Sequence, residues 1–318
     1  MFPGQGAQAV GMGQALRAAE PAARAAFDLA SEACGLDLAR LCADGPESVL
    51  AETEITQPAI LAVSAAVLAV LRERGVRPAA AAGLSLGEYG ALLAAGAADL
   101  ADLAPLVRRR GRYMQEAVPL GTGGMAAVLG CDAAAVEALC AAAKGALAEG
   151  GEPAPAGGWV LAPANWNCPG QVVLAGHLPA LRQAVALGRG FGARRVVLLP
   201  VSAPFHCELM APAADRLAPE VAALPLRPAD VPVVCNVDAE VVREPAAVRA
   251  ALLRQVRRPV LWEASVRRLA ALGCDTFVEV GPGQALTGFL GRVLPGARGF
   301  AVGDPDSLQR CLRELDAA

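Results

Sequence analysis

The stretch Gly83-Leu84-Ser85-Leu86-Gly87, followed by Glu88-Tyr89 and the apolar residues 91–95, reads as a strand turning sharply into a helix with a serine at the bend. In such a Gly-x-Ser-x-Gly elbow the serine is held in a strained backbone conformation with its hydroxyl exposed, and glycines two residues to either side relieve the crowding. The residue after the serine offers its backbone N–H to an oxyanion, so the pattern points to acyl chemistry on an α/β framework. The five residues alone leave a second reading open, an ordinary helix start capped by Ser85. Residues 79–82, all alanine, weigh against the elbow, because alanine favours helix and gives a strand little side chain to pack.

At 318 residues the chain can bury a large core, as one large domain or two smaller ones. Its 55% hydrophobic content is inflated by alanine, and the 19% charged fraction excludes a disordered chain. The longest apolar run, residues 59–71 broken only by Ser64, falls short of the ~20 residues a bilayer span needs and reads as a buried helix. Thr56 and Pro58 are expected to open that helix, and Arg72, Glu73 and Arg74 to close it. Phe2-Pro3-Gly4 stands where a cleavable signal would need a basic segment and an apolar core. Nine cysteines without a Cys-x-x-Cys pair argue against a disulfide framework or a zinc site and suit a reducing cytoplasm. A net charge of −3 makes no electrostatic case for nucleic acid or an anionic membrane as partner.

Working outward, residues 125–130 read as a strand, Asp132 caps a helix to about residue 143, and residues 145–158 form a Gly/Pro-rich loop. Strands follow at 159–162 and 171–175, then a helix at 178–187 and a strand at 195–199. Strand, helix, strand, strand, helix, strand is the order of the ferredoxin-like split unit, a four-stranded sheet with two helices on one face. The expected organisation is therefore an insert, residues 124–199, interrupting a parallel-rich α/β domain of residues 1–123 and 200–318 with short strands at 231–234 and 276–280. Near Arg110, Asp102 is expected to cap a helix that carries Pro105 in its first turn and runs to about residue 116.

A serine nucleophile needs a base, and histidine is the usual one. The chain has two. His177, in Gly176-His177-Leu178-Pro179, reads as an exposed residue capping a helix. His206 lies where the chain leaves the insert, and pairing it with Ser85 competes with the plainer reading of a histidine in a proline-rich turn. No histidine pair has metal-ligand spacing, and no Gly-x-x-x-x-Gly-Lys or Gly-x-Gly-x-x-Gly loop occurs. Gln5, flanked by Gly4 and Gly6, can bring a backbone N–H close to a ligand.

Together these segments resemble the malonyl-CoA:acyl carrier protein transacylase family over nearly the whole chain. The resemblance is carried by Phe2-Pro-Gly-Gln-Gly-Ala-Gln8, the Ser85 elbow, Arg110-Gly-Arg-Tyr-Met-Gln-Glu-Ala-Val-Pro119, Gly121-Thr-Gly-Gly-Met125 and Asn165-Trp-Asn-Cys-Pro-Gly-Gln171. Pro204-Phe-His-Cys207, Asn236-Val-Asp238, Gln255 and Glu279-Val-Gly-Pro-Gly283 complete it in family order. It implies an α/β-hydrolase-like large domain with a ferredoxin-like small one. It implies a ping-pong reaction in which malonyl passes from coenzyme A to Ser85 and then to the phosphopantetheine thiol of acyl carrier protein, for fatty acid synthesis, with no cofactor or metal bound. His206 would be the base, oriented by a backbone carbonyl at Gln255 instead of an acidic residue. The backbone N–H groups of Gln5 and Leu86 would form the oxyanion hole. Arg110 would bind the malonyl carboxylate with a planar fork that lysine lacks. Phe205 would disfavour an α-methyl branch, and Met114 and Asn165 would line the substrate pocket.

The chain departs from the family at Leu84, where many relatives carry histidine, and in its single residue before Phe2, which leaves the anchoring of Gln5 in question. Arg189, Arg194 and Arg195, with Arg254, Arg257 and Arg258, are candidates to meet an acidic carrier protein. A monomer in the cytoplasm is expected. A polyketide acyltransferase, a serine hydrolase and a non-enzymatic carrier-binding module remain the rival readings.

Overall fold

The computed structural model describes residues 1–201 and 203–316. Helix Thr53–Glu73 runs through the core with nearly every side chain of its apolar stretch buried, because a helix apolar on all faces must be covered on all faces. Among the described residues it is the one helix long and apolar enough to cross a membrane, and that stretch is 83% buried inside the protein. It starts three residues before the expected Thr56, whose hydroxyl donates to the Leu50 and Glu52 carbonyls, and Pro58 sits within the helix.

Nine strands are described, β1 Ala81–Ala82, β2 Gly123–Leu129, β3 Leu161–Cys168, β4 Gln171–His177, β5 Arg195–Leu198, β6 Val233–Val234, β7 Val241–Val242, β8 Thr276–Val280 and β9 Arg298–Val302. β1 pairs in parallel with β6, β6 antiparallel with β7, and β8 in parallel with β9. Met1 and Phe2 join these pieces. Phe2 N–H donates to the Ala82 carbonyl at 3.0 Å and its carbonyl accepts from Leu84, while Val280 N–H donates to the Met1 carbonyl at 2.8 Å. The result is a mostly parallel sheet in the order β7, β6, β1, Met1-Phe2, β8, β9. One residue before Phe2 is thus enough to tie the Gly4-Gln5-Gly6 turn to both neighbours.

The expected weakness of residues 79–82 is real, since β1 is two residues long and supported by its partners instead of its side chains. Likewise only Val233–Val234 of the expected 231–234 stretch form the strand, with the Pro232 carbonyl accepting the Ala81 N–H at 2.9 Å.

The second sheet is antiparallel throughout, in the order β3-β4-β2-β5. Helices Ala133–Glu149 and Leu178–Leu187 pack on it around a separate core that includes Val128, Leu139, Leu174 and Leu181. This is the ferredoxin-like arrangement. The sheet is tethered to the rest of the chain at β3, where Trp166 N–H donates to the Val260 carbonyl and Val260 N–H to that of Ala164.

Several boundaries differ from expectation, among them the start of β2 at Gly123, one residue before the expected edge of the insert, and the start of β3 at Leu161. The alanine-rich helix continues through Gly145 to Glu149, so the loop begins later, and β3 extends through Asn165-Trp166-Asn167 to Cys168. Helix Leu100–Gln115 begins before Asp102, which is a first-turn acid and not the cap, and Pro105 is its sixth residue.

Candidate active site

The elbow forms, and glycine is required on both sides of Ser85. A Cβ on Gly83 would stand 1.9 Å from the Gly87 carbonyl, and one on Gly87 would stand 2.0 Å from the Phe2 carbonyl oxygen. Ser85 has φ of 54°, in the left-handed region that a side chain rarely occupies. Asn236 holds this strain in place: its Oδ1 accepts the Ser85 N–H at 2.7 Å and its Nδ2 donates to the Gly83 carbonyl at 2.7 Å.

His206, also left-handed at φ of 60°, lies with Nε2 2.7 Å from Ser85 Oγ and Nδ1 2.7 Å from the backbone carbonyl of Gln255. A carbonyl only accepts, so Nδ1 carries the proton and Nε2 is bare to take the hydroxyl proton of Ser85. Arg110 Nη2 donates to the same Oγ at 3.2 Å, which leaves the hydroxyl hydrogen directed at His206. Burial first, and the Arg110 charge second, push His206 down to about 3 against the opposing pull of the Gln255 carbonyl. The imidazole is therefore neutral and able to accept a proton at ordinary pH.

Arg110 is 1% exposed and bonded to neutral acceptors: Nη1 donates to Gln57 Oε1 at 2.7 Å and Nη2 to Gln255 Oε1 at 2.8 Å, while its Nε has no partner among the described residues. Its guanidinium also lies 5.4 Å from the Tyr89 ring centre. Among the described residues no carboxylate bonds to it, so this buried cation is suited to an anionic ligand.

These groups open into a cavity of about 400 Å³. Eight of the nine residues singled out from the sequence line it, namely Gln5, Ser85, Leu86, Arg110, Met114, Asn165, Phe205 and His206, while Gln255 stands behind His206. Among the described residues neither the Gln5 nor the Leu86 backbone N–H is paired with a backbone carbonyl. The Gln5 side chain donates to Thr53 Oγ1 at 3.3 Å, which in turn donates to Gln115 Oε1.

Three residues were given no role in the site by the sequence reading. Gln57 and Asn236 bond to the arginine and the nucleophile, and Glu88 lies buried beneath both. Glu88 follows the elbow directly, yet an acid in a first helical turn is ordinary there and gave no signal. One expectation fails: His177 is buried, not exposed, because its Nδ1 accepts the Val160 N–H at 2.9 Å and its ring meets Trp159 edge-on. Arg254, Arg257 and Arg258 are paired with Asp238 and Glu208.

The family described as the acyl transferase domain matches residues 1–295 of the chain. The chain is 44% identical over 315 residues to the malonyl CoA-acyl carrier protein transacylase of Salmonella typhimurium, covering 99% of this chain and 98% of that relative. An acyl carrier protein S-malonyltransferase of Vibrio cholerae superposes with a TM-score of 0.91 at 42% identity, over 98% of both chains. A malonyl-transacylase solved in complex with a type II PKS acyl-carrier protein superposes equally well, with a TM-score of 0.91 at 40% identity over 98% of both chains.

Proposed function

The chain belongs to the acyl transferase domain family, and we propose that within it the enzyme carries malonyl from malonyl-CoA to the phosphopantetheine thiol of acyl carrier protein, for fatty acid synthesis. The observation that carries this reading is a single oxygen, Ser85 Oγ, within hydrogen-bond reach of both a neutral base and a buried cation.

His206 Nε2 takes the Ser85 proton as Oγ bonds to the thioester carbonyl carbon. The oxyanion that forms is met by the N–H groups of Gln5 and Leu86, which act on charge present only near the transition state. The C–S bond then breaks as His206 gives its proton to the leaving sulfur, so coenzyme A departs as the thiol and the imidazole is neutral again. In the second half His206 deprotonates the phosphopantetheine thiol, sulfur attacks the malonyl-Ser85 ester carbonyl, and the ester C–O bond breaks as His206 returns the proton to Oγ. Arg110 holds the free carboxylate throughout, its planar fork selecting a diacid. Phe205, Met114 and Asn165 shape the pocket around the acyl chain. A base oriented by a carbonyl, without an acidic third member, activates water poorly and lets the acyl-serine wait for the thiol.

No cofactor is held by the enzyme in this scheme, since the phosphopantetheine arrives on the carrier. Residues 1–123 and 200–318 serve as the catalytic domain and residues 124–199 as the small domain closing the cleft. Action as a monomer in the cytoplasm is part of this reading, and nine unpaired cysteines suit that compartment. Neither a membrane nor a nucleic acid enters the scheme.

Mass spectrometry after mixing with malonyl-CoA tests the reading. A malonyl adduct is expected on the intact chain and absent from Ser85→Ala; an unlabelled intact chain refutes the reading. A polyketide carrier as acceptor is the second reading, favoured by the similarity to the transacylase solved with a type II PKS acyl-carrier protein. Comparing the two carriers as acceptors decides between them.

A further inference from the structure

The acyl-transfer scheme uses Ser85, His206 and Arg110 directly, yet beneath them lies a buried acid it does not employ. Glu88 is 2% exposed, and its Oε2 accepts the backbone N–H of Asn236 at 2.9 Å and the side-chain Nε2 of Gln255 at 2.8 Å. Gln255 is the residue whose backbone carbonyl orients His206, and Asn236 is the residue whose side chain holds the strained Ser85 backbone. The Gln255 amide also reaches the Ser85 carbonyl at 3.0 Å and Asn236 Oδ1 at 3.2 Å, so its two hydrogens are shared among three acceptors.

We propose that Glu88 is a positioning residue for the transfer reaction: its buried carboxylate, reached from His206 through Gln255, fixes the imidazole on one side and the nucleophile elbow on the other. The inference rests on the transacylase reading of Ser85 and His206. In a Ser-His-Asp triad the acid bonds the histidine itself and sets its orientation. Here the acid acts at one residue's remove, and an uncharged carbonyl makes the contact. Charge strengthens both bonds that Glu88 accepts, so losing it loosens Gln255 and Asn236 together.

The charged and titratable groups around Glu88 are Arg110 from helix Leu100–Gln115, Asp238 and Cys235 from the segment after β6, and Tyr89 on its own helix. Burial raises Glu88 to about 7 against the opposing pull of Gln255, Asn236 and Arg110. Its charge therefore changes inside the range where the enzyme works, while His206 stays neutral down to about 3. Activation of Ser85 accordingly falls as pH drops through the Glu88 titration.

The test follows labelling of Ser85 by a neutral fluorophosphonate from about pH 5 to 9, alongside formation of malonyl-Ser85, in the intact enzyme, Glu88→Gln, Gln255→Leu and the double variant. Fluorophosphonate reads serine activation whatever acyl group the enzyme carries. In Glu88→Gln both reactions are expected to slow about tenfold or more, with the acid limb gone. The double variant should be no slower than the slower single within about threefold, since both changes break one linkage. Glu88→Gln labelling within about twofold of the intact enzyme at every pH, or losses that multiply in the double variant, overturns the proposal. Should Glu88→Gln fail to fold, Gln255→Leu must still lose the acid limb, and a limb that persists there overturns it equally. If the intact enzyme takes no malonyl while labelling depends on Glu88 as stated, the positioning role stands and the malonyl reading falls.

Discussion

Arg110 Nη2 lies 3.2 Å from Ser85 Oγ, so the cation read as the carboxylate clamp also touches the nucleophile. In the free enzyme that contact stabilises negative charge developing on Oγ and helps keep His206 unprotonated. A bound carboxylate would neutralise the guanidinium, remove part of that pressure and make His206 a stronger base once substrate is in place. Clamp and base are thus electrostatically linked.

Arg110→Ala should therefore damage malonyl transfer more than acetyl transfer. Removing one member of a buried charged pair costs about 2–5 kcal/mol, which corresponds to a fall of about 30-fold to several thousand-fold in kcat/KM for malonyl-CoA. Arg110→Lys should recover little, because a point charge cannot bond Gln57, Gln255 and a carboxylate together. Steady-state kinetics with malonyl-CoA and acetyl-CoA check both, and an unchanged malonyl-to-acetyl ratio in Arg110→Ala refutes the clamp.

Stability should depend on pH through two buried groups of opposite sign. His206 is held at about 3, below its unfolded value near 6.5, so its contribution is whole above 6.5 and is lost as pH falls towards 3. Glu88 is held at about 7, above its unfolded value of 4.5, so its contribution is whole below 4.5 and is lost as pH rises through 7. Between 4.5 and 6.5 the two slopes, each about 1.4 kcal/mol per pH unit, oppose one another. Glu88→Gln removes one of them, so urea unfolding of that variant should show stability rising with pH across this window more steeply than in the intact protein. An unaltered slope rules the pairing out.

The same two groups mark how far the sequence carries. The elbow was legible because its glycines encode backbone geometry: Gly83 and Gly87 admit no side chain against Gly87 and Phe2. The order of strands and helices in residues 125–199 was legible because each element repeats its own apolar period. What hid was long-range. Glu88 meets Gln255 across 167 positions and Asn236 across 148, and no local pattern records such a meeting. His177 looked exposed because its burial depends on Trp159 and the Val160 N–H, partners brought to it only by the pairing of β3 with β4.

Phe205 is buried beside His206 and lines the cavity, where an α-methyl branch on the acyl group would have to be accommodated. Excluding one methyl by size is worth about 1–3 kcal/mol. Phe205→Ala should therefore raise the methylmalonyl-to-malonyl ratio of kcat/KM by about 10- to 200-fold. Competition between the two coenzyme A esters measures it, and an unaltered ratio would remove Phe205 from the specificity account.

The arginines expected to meet an acidic carrier protein separate into two groups. Arg254 pairs with Asp238 at 3.0 Å, and Arg257 and Arg258 share Glu208 at 2.6 and 3.6 Å, so their charge is partly spent within the protein. Arg189, Arg194 and Arg195 are exposed on the small sheet and the short helix before it, and there they can act on an approaching anion. Reversing Arg194 and Arg195 to glutamate should raise the KM for the carrier several-fold, an effect that shrinks with added salt, and leave the KM for malonyl-CoA in place. Reversal at Arg257 should do less to the carrier and more to stability, because it sets two carboxylates against each other at Glu208. Equal changes in both KM values after reversal at Arg194 and Arg195 would refute docking on this face.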